Sequence, residues 1–275
     1  MKLAAAASAC VALGASAASA AEKKVLVVGD SWGTVVAGGS AASLSFFDRA
    51  LNAHGCSHST LNIAVPGTTA GEWDTSEEYS TRLSKAVADR DEVWITLMGN
   101  DAMEQMPDCA RQGGSASDCG DQLYDDMTKH MGSILDNIHE SNPDANVVGF
   151  GYDTMFGGAG CSLVTHELFP QCAGQSGESA DRCFNEQFVR IQAVWDDLAG
   201  EREWVTAVNI LGVTQAAGGY NATVGNPDME NMGPAKYWLD WEGCIHPGID
   251  GGDDSGVMIV MEEFYKQYWG EALGC

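Results

Sequence analysis

Val25-Leu26-Val27-Val28-Gly29-Asp30-Ser31-Trp32-Gly33 is the stretch whose reading decides the fold. Four aliphatic residues in a row read as a buried strand, and the Gly-Asp-Ser-x-Gly turn then breaks it and hands over to a helix. A serine in a glycine-flanked turn at a strand's end has its hydroxyl pushed out at the carboxyl edge of the sheet. In open α/β sheets that edge is where ligands bind. The helix that follows also brings unpaired N–H groups close to Ser31, a setting suited to developing negative charge. The competing reading is that Ser31 only caps this helix.

Working outward, a helical stretch is expected over 33–53, amphipathic in its second half through Leu44, Phe47 and Leu51 and ended by Gly55. A strand follows at Ser59–Ala64, then the turn Pro66-Gly67-Thr68-Thr69-Ala70-Gly71 and a helix over Glu72–Arg90. Glu92–Met98 is a clear strand that stops at Gly99-Asn100-Asp101. Residues 102–120 read as a Gly/Ser-rich loop with two cysteines, and 121–140 as a helix with Leu123, Met127, Met131, Ile134 and Ile138 on one face. Ala145–Tyr152 is a strand, 153–182 a long irregular segment, and 184–199 a helix with Phe184, Phe188, Ile191, Trp195 and Leu198 inward. Trp204–Ile210 is the fifth strand, 212–248 a second long loop region, and 254–270 a closing helix. Strands alternating with helices predict a three-layer α/β/α fold with a five-stranded parallel sheet covered on both faces.

The chain has 275 residues, suited to a single α/β domain over 21–275. Met1–Ala20 lacks acidic residues, is apolar and rich in Ala, and ends in Ala18-Ser19-Ala20. It reads as a secretory signal, so a secreted, extracellular protein without stable membrane insertion is expected. Nine cysteines include Cys10 within that segment; the eight that remain argue for four disulfides in an exported chain. Spacing favours Cys109–Cys119, a pair among Cys161, Cys172 and Cys183, and Cys275–Cys244. No Cys-x-x-Cys is present and no metal site is expected, and no dinucleotide or phosphate-cradling motif points to a cofactor. A net charge of −25 repels nucleic acid and anionic membranes. Asn221-Ala222-Thr223 is an acceptor sequence for N-glycosylation.

Three strand ends carry candidates for chemistry: Ser31, Gly67 and Asn100. A nucleophilic serine needs a base, a group to hold that base, and donors for an oxyanion. His54, His58, His130, His139 and His166 read as surface or packing residues. His246 differs, because Pro247 keeps it out of a helix and Asp240 and Glu242 lie just upstream. Asp30 and Asp101 read as holders of their turns rather than acid–base groups. Trp32, Trp73, Trp238 and Trp241 are candidates for lining an acyl or sugar pocket, with packing as the alternative.

The ordered set resembles the SGNH (GDSL) hydrolase family. Its four blocks are similar to Gly29-Asp30-Ser31, Asn62-Ile63-Ala64-Val65-Pro66-Gly67, Asn100-Asp101 and Gly243-Cys244-Ile245-His246-Pro247. The resemblance implies a flavodoxin-like sheet and hydrolysis of carboxylic esters, either acyl esters or acetylated carbohydrate. It implies Ser31 as nucleophile, His246 as base, and an oxyanion hole from the N–H groups of Ser31 and Gly67 and the Asn100 amide. A monomer acting on a small-molecule or carbohydrate ester is expected. Two departures mark this chain. Met98 stands where the third block has glycine, and Gly243 stands where an acid precedes the histidine. Asp240 or Glu242 is then the orienting acid, with a backbone carbonyl as a third option. Loss of that acid motivates the alternative of a catalytically impaired extracellular binding protein on the same scaffold.

Overall fold

The computed structural model describes residues 22–38, 44–154, 169–172, 175–234, 237, 246, 248–249 and 255–275. The expected signal segment, Cys161, His166, Trp238, Asp240, Trp241, Glu242, Cys244 and Pro247 lie outside them. Val25–Val28 are fully buried, as a strand with apolar side chains on both faces requires, and they form the middle of β1 (Lys23–Gly29). With β2 (His58–Asn62), β3 (Glu92–Thr96), β4 (Asn146–Phe150) and β5 (Val205–Val208), β1 builds a five-stranded sheet. The order is β2-β1-β3-β4-β5 and every pairing is parallel. The chain therefore reverses direction across the sheet between β1 and β3, which places a switch point beside Ser31.

Between the strands lie α1 (Ser31–Ala37), α2 (Phe46–Ala53), α3 (Ala70–Thr75), α4 (Glu77–Val87), α5 (Gly99–Arg111) and α6 (Ala116–Ser141). They are followed by α7 (Glu178–Glu201), α8 (Val213–Gly218) and α9 (Gly256–Phe264). The helices α3 to α7 pack on one another on one side; α2 and α8 pack with α9 on the other. The chain runs from β1 out to the edge strand β2, then back past β1 to β3 and on to β5, and this reversal divides the helices between the two faces. On the α2/α9 side, Trp94 and Phe150 stack at 5.4 Å between ring centres, and Phe264 meets Phe150 edge-on at 4.8 Å. On the other side a Cβ at Gly149 would lie 2.2 Å from the Trp195 indole. The glycine is what lets α7 approach β4 so closely.

Several expected boundaries shift. The stretch 33–53 carries two helices, α1 and α2, and 72–90 is divided into α3 and α4 at Ser76. Residues 102–120 are not a loop: α5 runs to Arg111 with Pro107 inside it, and α6 begins at Ala116. Gly113, Gly114 and Ser115 make a tight joint between them, with Gly113 at φ +88° and a Ser115/Asp118 capping box, while Ser117 and Gly120 lie within α6. A Cβ at Gly114 would fall 2.5 Å from the Cys109 sulfur, so the Cys109–Cys119 disulfide sits directly over it. The short helix α8 lies within the expected loop 212–248. The closing helix passes into a π turn at Tyr265–Trp269.

Three disulfides join described residues: Cys56–Cys275, Cys109–Cys119 and Cys172–Cys183. The first corrects the expected Cys275–Cys244 pair. Because α9 packs on α2, the chain's end arrives beside the turn that follows α2, where Cys56 waits. Among the described residues no helix is long and apolar enough to cross a membrane.

Candidate active site

Asp30 directs the turn that holds Ser31. Its Oδ1 accepts from the Trp32 N–H at 2.9 Å, capping α1, so the capping role belongs to Asp30 and not to Ser31. Thr96, at the end of β3 and in register with Gly29, donates to Asp30 Oδ1 at 3.3 Å and accepts from the Gly33 N–H at 2.9 Å. A Cβ at Gly29, whose φ is +157°, would lie 2.2 Å from Thr96 Oγ1, so glycine is needed for this close approach. Relieved of capping, Ser31 is half-buried, and its Oγ lies 2.7 Å from His246 Nε2. Two residues 215 apart in sequence thus meet within hydrogen-bond distance at the carboxyl end of β1. Asp240 and Glu242, the candidates for orienting His246, lie outside the described residues.

The turn carrying Gly67 is stitched to the same edge. Val65 N–H donates to the Gly29 carbonyl at 2.8 Å, and Thr68 Oγ1 donates to the Val65 carbonyl at 2.8 Å. Gly67 itself is exposed with φ +82°, a left-handed conformation that suits glycine. The Asn100 amide donates to the Thr68 carbonyl at 2.9 Å, which fixes its orientation while its second N–H hydrogen remains for another acceptor. Asp101 accepts from Ala70 N–H at 2.8 Å and Gly71 N–H at 3.3 Å. Asp101 therefore holds the neighbouring turn as well as bonding its own backbone. Met98, at the position where glycine was expected, has φ 91° and is the one non-glycine residue with positive φ among those described. Its side chain is fully buried.

Three aspartates at this edge are buried strongly enough to change their acidity, Asp101 among them, raised by burial. Burial pushes Asp30 up to about 7 against hydrogen bonds from Tyr152, Trp32 and Thr96 that lower it. Burial likewise raises Asp153, just beyond β4, to about 6. Asp153 gathers the N–H of Gly212 at 2.6 Å and the N–H and hydroxyl of Thr214 at 2.9 and 2.5 Å, anchoring the start of α8. Asp153, Tyr152 and Thr96 escaped the sequence reading. The signal was present, since Tyr152 and Asp153 follow a strand just as Ser31 and Asn100 do.

A pocket opens beside Ser31 and Asn100, walled by Trp32, Ala102, Met103, Tyr152, Phe169, Phe188 and Ile191, with Asp30 and Asp153 also in its lining. Of the tryptophans proposed for such a role, Trp32 lines it, whereas Trp73 is packed against Tyr79 and donates to Thr68 Oγ1. Among the described residues no cluster of His, Cys, Asp and Glu is arranged to hold a metal ion.

No protein-family model matches this sequence, and no curated protein matches it. Solved structures do share its fold. It is similar to an extracellular lipase from Streptomyces rimosus, with TM-score 0.55 and 21% identity over 87% of this chain and 98% of that one. It is similar to a GDSL-like lipase from Parabacteroides merdae, with TM-score 0.53 and 16% identity over 92% and 96% of the two chains. A family 3 carbohydrate esterase from Clostridium thermocellum matches at TM-score 0.50 and 13% identity, over 92% and 98%. The α/β/α fold of this chain is the one these lipases and esterases carry.

Proposed function

We propose that the chain is a secreted serine hydrolase of the SGNH type that cleaves carboxylic esters, either small acyl esters or acylated carbohydrate. The observation that carries this reading is the 2.7 Å approach of Ser31 Oγ and His246 Nε2 at the carboxyl end of β1, beside an oriented Asn100 amide. In the productive tautomer Nε2 accepts the Ser31 proton, and Oγ attacks the ester carbonyl. The N–H groups of Ser31 and Gly67 and the free N–H of the Asn100 amide receive the oxyanion. His246 then returns the proton to the leaving alcohol, and a water activated by the same nitrogen releases the acid. Asp240 or Glu242 holds the imidazole's other nitrogen in this scheme, and no metal or organic cofactor takes part. The shared fold with lipases and a carbohydrate esterase supports the ester substrate class. Three disulfides support export to an oxidising compartment, consistent with Met1–Ala20 as a signal and 21–275 as one mature catalytic domain.

Hydrolysis of p-nitrophenyl acetate and butyrate by the native chain and Ser31→Ala tests the assignment. The substitution is expected to lower kcat by at least about 10⁴-fold while the fold is retained. A fluorophosphonate adduct on Ser31 would support the same nucleophile. Equal hydrolysis by both chains, or none by the native chain, would overturn it, the second outcome in favour of a binding protein.

A further inference from the structure

Tyr152, just past a third strand, touches both the Ser31 turn and the Asn100 turn of the proposed site. Its hydroxyl donates to Asp30 Oδ2 at 2.6 Å and accepts from the Gly99 N–H at 3.1 Å. Asp30 follows β1 and Gly99 follows β3, whereas Tyr152 lies two residues past β4. In the sheet β3 stands between β1 and β4, so the Tyr152–Asp30 bond passes over the end of β3 and encloses the Met98–Asn100 turn. The ring fits this place closely. It meets Trp32 edge-on at 5.2 Å, and a Cβ at Gly99 would lie 2.8 Å from its Cζ. The enclosed turn contains the left-handed Met98, a conformation that an L residue with a side chain adopts only when its surroundings hold it there. Asn100 begins two residues later, so any relaxation of Met98 displaces the amide that the mechanism aims at the oxyanion.

We infer that Tyr152 is a positioning residue: through its bonds to Asp30 and to Gly99 N–H it holds the strained Met98 turn, and with it Asn100, in register with Ser31. The inference rests on the serine-hydrolase reading for its catalytic consequence, but the clamp itself is a property of the fold. Asp30 serves as acceptor at both ends of the device, taking Trp32 N–H on one carboxylate oxygen and the Tyr152 hydroxyl on the other. The phenol in turn is the acceptor that satisfies Gly99 N–H at the start of α5.

The test is a cycle of Tyr152→Phe, Met98→Gly and the double variant, read by kcat, KM and hydrogen exchange of the peptide spanning 97–103. Tyr152→Phe is expected to lower kcat by about 10- to 100-fold through a displaced amide, with KM changed by less than about twofold. Exchange across 97–103 should rise. Met98→Gly relaxes the turn without needing the clamp, so in the double variant it should restore most of the lost kcat. It should also change kcat by a larger factor in that background than in the native chain. Tyr152→Phe with native kcat and native exchange would overturn the proposal. So would a kcat loss that Met98→Gly leaves untouched, because a general loss of packing is not relieved at one backbone angle. Should Tyr152→Phe fail to fold, Asp30→Asn keeps the cap on Trp32, denies Tyr152 its carboxylate, and carries the same expectations. If the native chain hydrolyses no ester, the esterase reading fails, and the exchange measurements still decide whether Tyr152 holds the turn.

Discussion

Asp101 and Ala70, 31 residues apart in sequence, are joined by a 2.8 Å hydrogen bond from the Ala70 N–H to the Asp101 carboxylate. The bond ties the start of α3 to the start of α5 and so fixes the Gly67 turn relative to Asn100. Asp101 is buried, and its loss leaves two N–H donors of α3 without their acceptor. Asp101→Ala is therefore expected to destabilise the fold by about 1–3 kcal/mol, seen as a lower midpoint in denaturant unfolding. Asp101→Asn keeps one acceptor oxygen and should lose less.

Asn100 is expected to act on turnover more than on stability. Asn100→Ala removes the proposed oxyanion donor and should reduce kcat by about 10²–10³-fold. It also strips the Thr68 carbonyl of its partner, adding a modest fall in Tm. Steady-state kinetics on p-nitrophenyl acetate alongside a thermal melt separate the two effects. A native kcat would remove Asn100 from the oxyanion hole.

The disulfides should differ in worth because they close different loops. Cys56–Cys275 spans 219 residues and Cys172–Cys183 only 11. Restricting the unfolded chain gives an upper expectation of about 5 kcal/mol for the first and about 3 kcal/mol for the second. Paired Cys→Ser variants of each bridge, compared by Tm, should show the larger drop for Cys56 and Cys275.

Stability should fall as pH rises from about 4 to 7. Burial raises Asp30 to about 7 and Asp153 to about 6, and pushes Asp101 and Glu92 upward as well. Between the ordinary carboxylate value and these raised values the native state binds more protons than the unfolded state, so rising pH favours unfolding. Asp48 runs the other way. A hydrogen bond with His58 helps hold it at about 2, so its contribution is present above the ordinary carboxylate value and lost as pH falls toward 2. Maximum stability is therefore expected near pH 4. Tm measured across pH 3 to 8 checks this, and Asp30→Asn should flatten the slope between 4 and 7.

The inner strands β1, β3 and β4 were legible because a parallel strand covered on both faces is an apolar run that needs no partner to be recognised, whereas the edge strand β2, with no buried residue, was marked off by the turn at Pro66–Gly71. The same local patterns exposed Ser31, Gly67 and Asn100, since each follows a strand that ends in a turn. The joint at 112–115 was misread for a physical reason. Glycine and serine signal a loop, but two helices meeting at a disulfide need only four joining residues, three of them glycine or serine.

By itself the sequence determined which backbone segments become strands, the edge at which their ends gather, and three of the residues that stand there, Ser31, Gly67 and Asn100. Tertiary structure alone decided who meets whom. Cys275 reaches Cys56 because α9 lies on α2, and Tyr152 reaches Asp30 because β4 stands one strand beyond β3. Ser31 meets His246 across 215 residues for the same reason. Local propensity acts over a few residues, whereas these contacts depend on strand order and helix packing, which only the folded chain as a whole settles.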